Sequence, residues 1–188
     1  MSRPPSTQSI LRHWREAVPD DRLAHLVKDA TRSLVRALQM RLAEHAVSFG
    51  HWTFLRILWE GDGLTQRELS EQAGVMEPTT FSALKAMERL GYVRRRQLGG
   101  DRKKVYVFLT PKGRRLRVRL VPLAEDVNRI AVRGVRKADI AIARVVLLAI
   151  IENMAREEAG ADMRMPSTRD LVRLAERPNR RLRKSAQS

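Results

Sequence analysis

A mainly α fold with one small β-hairpin is predicted by three features of this 188-residue sequence. Apolar side chains recur at steps of three and four over long stretches, the period of helices that bury one stripe. Between Tyr92 and Thr110, two runs rich in Val, Tyr, Phe and Arg flank a Gly-Gly turn, the pattern of a hairpin. Helix-end signals then divide the chain: Thr65-x-x-Glu68, Gly74, Gly91 and Thr110-Pro111 each stand where a helix should start or stop.

Residues 1–18 contain Pro4, Pro5 and small polar side chains and are expected to form a flexible N-terminal arm, with Ile10, Leu11 and Trp14 free to dock on a partner subunit. From Asp20 to about His45, Leu23, Leu26, Val27, Ala30, Leu34, Leu38 and Leu42 make one stripe of a long helix, capped by Asp20 or Asp21. His51 to Glu60 carries Trp52, Leu55, Leu58 and Trp59 at helical spacing and ends at Gly61-Asp62-Gly63.

A helix-turn-helix follows. Thr65 and Glu68 form a capping box that starts Gln66 to Ala73, and Gly74 supplies the break. The second helix spans about Glu77 to Leu90, with Pro78 in the first turn, where its missing N–H leaves no bond unmade. Phe81, Leu84, Met87 and Leu90, three apart, are expected to face the core, leaving Thr79, Thr80, Ser82 and Lys85 for a duplex. Strands at about Tyr92 to Gln97 and Lys104 to Thr110 enclose the tip Leu98 to Lys103. Thr110-Pro111 opens a helix with Leu116, Leu120, Leu123, Val127 and Ile130 inward and a kink at Pro122. The last helix, about Ala138 to Ala159, is apolar over much of its circumference, so it needs cover on more than one side, and another subunit is the expected cover.

The composite is a mainly α protein with a small β-hairpin wing: a winged helix-turn-helix plus N- and C-terminal dimerisation helices. The expected divisions are the arm at 1–18, a helical dimerisation region at 19–50 and 111–160, a DNA-binding winged helix-turn-helix at 51–110 and a basic C-terminal extension at 161–188.

Charge points to a polyanion. The formal net charge is +16, and between Arg89 and Arg119 twelve Lys and Arg side chains stand against the single carboxylate of Asp101. Such a density of like charge repels itself unless an anion is present. Cysteine is absent, which removes disulfides, Cys-based zinc sites and thiol switches. Met1 to Gln8 lacks an apolar core of signal-peptide length, and the run Ala138 to Ile151, broken by Asp139 and Arg144, is too short to span a bilayer, so a soluble cytoplasmic protein without a membrane partner is expected. His13, His25, His45 and His51 show no metal-binding spacing, and there is no Gly-rich phosphate loop, so no enzyme, cofactor or metal site is expected.

A recognition helix offers its N-terminal residues to base edges in the major groove. Pro78, Thr79, Thr80, Ser82 and Lys85 are the expected contacts, with Thr65 and Gln66 at the start of the preceding helix. None is a strong base reader, so part of the specificity is expected from DNA shape, with Arg102 entering the minor groove. Asp101 is expected to hold the wing's arginine or backbone, although an Asp in a hairpin turn also has an ordinary local role. Arg94, Arg95, Arg96, Lys103 and Lys104 would meet phosphates, with strand alternation sending some of them to the other face. Recognition helices about 34 Å apart fit successive major grooves, which a two-fold homodimer provides.

The order Thr65-x-x-Glu68-Leu69, Gly74-Val75-Met76-Glu77-Pro78-Thr79-Thr80, Met87-Glu88-Arg89-Leu90-Gly91-Tyr92-Val93 and Asp101-Arg102-Lys103 through Leu109-Thr110-Pro111-Lys112-Gly113 resembles the multiple antibiotic resistance regulator (MarR) family over roughly residues 20 to 160. Where the family usually has Arg, this chain has Lys103, which keeps the charge of the tip. The resemblance implies a homodimeric regulator of transcription, usually a repressor, that binds a pseudo-palindromic operator on double-stranded DNA and is released by a small aromatic acid. It also implies a cavity beside Ser48-Phe49-Gly50-His51-Trp52, where Trp52 would stack on an aromatic ring and Arg22, Ser48 and His51 would hold a carboxylate. Core packing accounts equally for Trp52, and an exposed helix start for His51. The competing reading is a DNA-binding regulator or architectural nucleic-acid binder with no small-molecule effector.

Overall fold

The computed structural model describes residues 7–16, 23–97 and 104–161. They belong to two units, one ending at Arg133 and one beginning at Gly134. The first contains, in order, α1 (Thr7–Glu16), α2 (Leu23–Ala43), α3 (Phe49–Glu60), β1 (Leu64–Thr65), α4 (Gln66–Ala73), α5 (Glu77–Arg89), β2 (Val93–Gln97), β3 (Val105–Leu109) and α6 (Pro111–Ala131). The second contributes α7 (Lys137–Ala161).

The expected arm contains a helix. Trp14 of α1 donates its indole N–H to Asp29 Oδ2 of α2 at 3.0 Å, a bond that ties the two together within one chain. Of the apolar stripe along α2, only Leu38 and Leu42 are buried, while Leu23, Leu26 and Leu34 stay exposed. Periodicity says which residues share a face, but not how far along the helix its neighbours extend.

Local signals set the ends of the next elements. Ser48 caps α3 by accepting the His51 N–H, so that helix begins two residues before the expected His51. The Thr65 capping box is present in both directions: its hydroxyl accepts the Glu68 N–H at 3.2 Å, and its own N–H donates to Glu68 Oε2 at 2.7 Å. The Thr65 N–H and, next, the Thr65 hydroxyl, both donating to Glu68 Oε2 at 2.7 Å, hold the exposed Glu68 carboxyl below its ordinary range. Gly74 closes α4 in the left-handed conformation with φ of 63°, where a side chain would be strained.

The three strands form an antiparallel sheet in the order β1-β3-β2. The hairpin pairs Val93 with Leu109 and Gln97 with Val105, and Leu64 and Thr65 add a short third strand opposite Val107 and Tyr106. That strand was not expected; two residues are too few to show a period. Leu42, Leu55, Leu58, Leu69, Leu84 and Leu120 pack together with Met87 and Val107 as the core. In α6, Leu120 and Val127 are buried and the helix runs on through Pro122, whereas Ile130, expected to face inward, is exposed.

Helix α7 is apolar without a preferred side, with Ile142, Val145, Leu148 and Ile151 all exposed. Among the described residues no helix is long and apolar enough to cross a membrane.

One close approach sets the seam between hairpin and α6. Gly113 is buried in the first turn of α6, and a Cβ there would lie 2.1 Å from the Tyr92 carbonyl oxygen. That oxygen cannot retreat freely, because it accepts the Thr110 N–H at 3.0 Å and the Thr110 hydroxyl at 3.2 Å. Gly113→Ala is therefore expected to destabilise the fold by roughly 1–3 kcal/mol, the usual cost of overpacking. Urea denaturation followed by circular dichroism measures it, and an unchanged midpoint would contradict the contact.

Candidate nucleic-acid interface and adjoining cavity

The inward residues of α5 are Thr80, Leu84 and Met87, each fully buried. They follow steps of four and three, whereas Phe81, Leu84, Met87 and Leu90 at uniform steps of three rotate about 60° backwards per step. Phe81 and Leu90 thus fall on opposite flanks and are 47% and 38% exposed, which corrects the expectation that both face the core. Thr80, expected to face a duplex, is corrected in the same way. Its hydroxyl accepts a 2.8 Å hydrogen bond from Ser70 Oγ, a buried link between the two helices of the helix-turn-helix. Pro78, Thr79, Ser82 and Lys85 are exposed on the outward side, and the side chains of Thr79, Ser82 and Lys85 have no hydrogen-bond or ion-pair partner among the described residues.

The wing is attached to this helix by one carboxylate. Glu88 Oε1 accepts the Arg95 backbone N–H at 2.8 Å, and Oε2 accepts Arg95 Nε at 2.9 Å, with Nη2 also at 2.8 Å. The guanidinium lies over the Phe81 ring, 5.5 Å from its centre. Arg95 is therefore committed to joining β2 to α5, a correction to its expected role on phosphate. Arg94 and Arg96, which alternate with it, are exposed, as is Lys104 at the start of the returning strand. Thr65 and Gln66 are half-buried at the rim of a recess shared with Arg67, Glu77, Lys104 and Val105. Asp101, Arg102 and Lys103 lie outside the described residues.

A cavity of about 650 Å³ opens beside this module, between α3, α6 and the helix-turn-helix. Trp52 and Trp59 meet edge to face in its wall, 5.6 Å between ring centres, and Trp59 donates its indole N–H to the Gly113 carbonyl at 3.0 Å. Two arginines reach it. Arg117 donates to the Trp59 carbonyl at 3.2 Å and lies 3.5 Å from Glu60, while Arg56 has no hydrogen-bond or ion-pair partner among the described residues. Gln72 of α4 completes the side toward the helix-turn-helix.

Of the residues expected to hold a ligand, only Trp52 lines this cavity, and it is also 94% buried, its exposure being 6%. Ser48 is committed to the α3 cap, and Arg22 lies outside the described residues. The His51 ring buries Nδ1 without a hydrogen-bond partner, and that burial pushes its pKa below the ordinary histidine value. The spacing Trp52, Arg56, Trp59, at steps of four and three, is the signal that marks this wall in the sequence.

Fold and exposed helix together define a winged helix-turn-helix of the DNA-binding kind. Residues 47–105 match the MarR family, and this segment is a MarR-family domain. The chain is 33% identical over 109 residues to the HTH-type transcriptional regulator TtmR of Methylorubrum extorquens; the match covers 58% of this chain and 56% of that regulator, so it spans little more than half the relative's length. Among solved structures, a MarR-family regulator from Listeria monocytogenes complexed with 26mer DNA superposes with a TM-score of 0.67 at 21% identity, over 78% of this chain and 99% of that one. BpsR of Bordetella bronchiseptica, whose DNA binding is regulated by 6-hydroxynicotinic acid, superposes with a TM-score of 0.62 at 21% identity, over 72% and 99%. At these identities the two structures establish the shared fold.

Removing the charge of Glu88 should loosen the wing. Glu88→Gln is expected to cost roughly 1–2 kcal/mol near neutral pH, the low end for charge-assisted bonds because the carboxylate is partly exposed. Burial alone would raise the Glu88 pKa, but the bonds from Arg95 outweigh it and the net displacement is downward. The stabilisation is thus present above the ordinary carboxylate pKa and lost as pH falls through the depressed one. Denaturation curves of both proteins from about pH 7 to about pH 3 should converge at the acid end; a gap independent of pH would argue against the ionised clamp.

Proposed function

We propose that this protein is a transcriptional regulator of repressor type, which binds a pseudo-palindromic operator as a homodimer and releases it when a small aromatic acid occupies the cavity. The observation that carries the DNA reading is the outward side of α5: Pro78, Thr79, Ser82 and Lys85 face solvent, and the side chains of the last three have no hydrogen-bond or ion-pair partner among the described residues. A major groove supplies the acceptors and thymine methyls that such side chains satisfy. Arg94, Arg96 and Lys104, with Arg102 and Lys103 of the tip, would add phosphate contacts that raise affinity without selecting sequence. Asp101 would orient the tip.

The homodimer is supported by α7, whose exposed Ile142, Val145, Leu148 and Ile151 spread apolar surface around much of the helix. The effector is supported by chemistry: two indoles offer apolar and edge contacts to a flat ring, and Arg56, without an ion-pair partner among the described residues, offers a guanidinium to a carboxylate. Its volume falls in the range that encloses small ligands.

Light scattering should give twice the 21.6 kDa chain mass, and operator DNA should be preferred over random duplex by at least about 10³ at roughly 0.15 M salt. A ratio near one would favour a nonspecific architectural binder. Aromatic carboxylates, 6-hydroxynicotinic acid among them, should weaken operator binding, and Arg56→Gln should raise the concentration needed by roughly tenfold, the loss of one charge-assisted contact. Operator binding indifferent to every aromatic acid tried would leave a regulator without this effector.

A further inference from the structure

Phe81 stands in an unusual place for a large aromatic. It is the fifth residue of α5, near the end that a recognition helix presents to DNA, and 47% of it is exposed. Measured around the helix from the buried Thr80, Phe81 lies at about 100°, between the groove-facing Lys85 at about 140° and the wing-facing Glu88 at about 80°. The ring is also held in place. Arg95 lies over it at 5.5 Å, and Arg95 is itself fixed by Glu88 through its backbone N–H and guanidinium.

The surrounding polar side chains select bases weakly. Pro78, Thr79 and Ser82 offer no bidentate fork, and Lys85 is a flexible point charge. Phe81 offers a broad apolar surface instead. On the major-groove edges of the four base pairs the one apolar group is the C5-methyl of thymine, which a phenyl ring contacts favourably and whose absence it detects. We propose that Phe81 is a specificity-determining residue that reads a thymine methyl in each operator half-site, with Glu88 and Arg95 as positioning residues that hold its ring at the helix–wing junction. The proposal rests on the DNA-binding reading above.

The test removes single methyl groups from DNA. A preferred duplex is selected from a randomised pool by the wild-type protein, and each thymine is then replaced in turn by deoxyuridine, which keeps base pairing and deletes only the methyl. One symmetry-related pair of thymines should show wild-type binding weakened roughly fourfold per site, the equilibrium factor for burying one methyl-sized group. At those positions Phe81→Ala should bind the thymine and uracil duplexes equally, while Phe81→Leu, still apolar, keeps part of the difference. If Phe81→Ala melts at a markedly lower temperature, Phe81→Gln provides the same comparison with a polar side chain of similar reach. Wild-type binding indifferent to every replacement, or a uracil penalty that persists in the Ala and Gln variants, would overturn the assignment and leave Phe81 as a seat for Arg95. A pool that yields no preferred duplex at all would instead reject the sequence-specific DNA reading itself.

Discussion

The spacing between recognition helix and wing depends on one carboxylate. Glu88, near the end of α5, holds both the backbone and the guanidinium of Arg95 on β2. β3 is tied to the domain by its pairing with β1 and by Asp62, whereas β2 is an edge strand, and Glu88 is what holds it to α5. The clamp holds β2 against the end of α5, so that the helix and the described part of the wing present one surface. Its strength comes from partial shielding: Arg95 is 22% exposed, with the Phe81 ring covering one face of the guanidinium, so competition from water is reduced.

A second set of bonds connects that surface to the cavity. Asp62, in the turn after α3, accepts the Leu109 N–H of β3 at 2.8 Å and the Arg114 guanidinium of α6 at 2.6 Å. Trp59, one turn earlier, reaches the Gly113 carbonyl at the start of the same helix. The cavity wall, the sheet and α6 therefore share one hydrogen-bonded seam. Gln72, on the first helix of the helix-turn-helix, lies in the same wall. A molecule that widened this space would press on the elements that carry α5, which gives the proposed effector a direct mechanical route to DNA affinity.

Elements were legible wherever a local signal has its own chemistry. Thr65 with Glu68, Gly74, and Thr110 before Pro111 mark ends because capping bonds and left-handed backbone are satisfied within a few residues. The hairpin was legible from runs rich in Val, Tyr, Phe and Arg on either side of a Gly-Gly turn. The site was legible less evenly: Ser82 and Lys85 face outward as expected, whereas Thr80 and Phe81 exchange the positions foreseen for them. A hydroxyl outside and a phenyl inside is the natural default, and it fails here because Ser70 supplies the buried hydroxyl with a partner and Arg95 supplies the exposed ring with a cation.

The sequence by itself determined the helical and hairpin segments, the helix-turn-helix and the concentration of positive charge, since each follows from near neighbours along the chain or from composition. Tertiary structure alone decided that Arg95 is a tether rather than a free cation, that Trp52, Arg56 and Trp59 open onto a cavity, and that α2 buries only its second half. Those outcomes depend on residues far apart in sequence, Glu88 on α5 meeting β2 and Trp59 meeting Gly113 54 positions on. A side chain's role is set by the partner that folding brings within hydrogen-bond reach, and a one-dimensional pattern does not contain that distance.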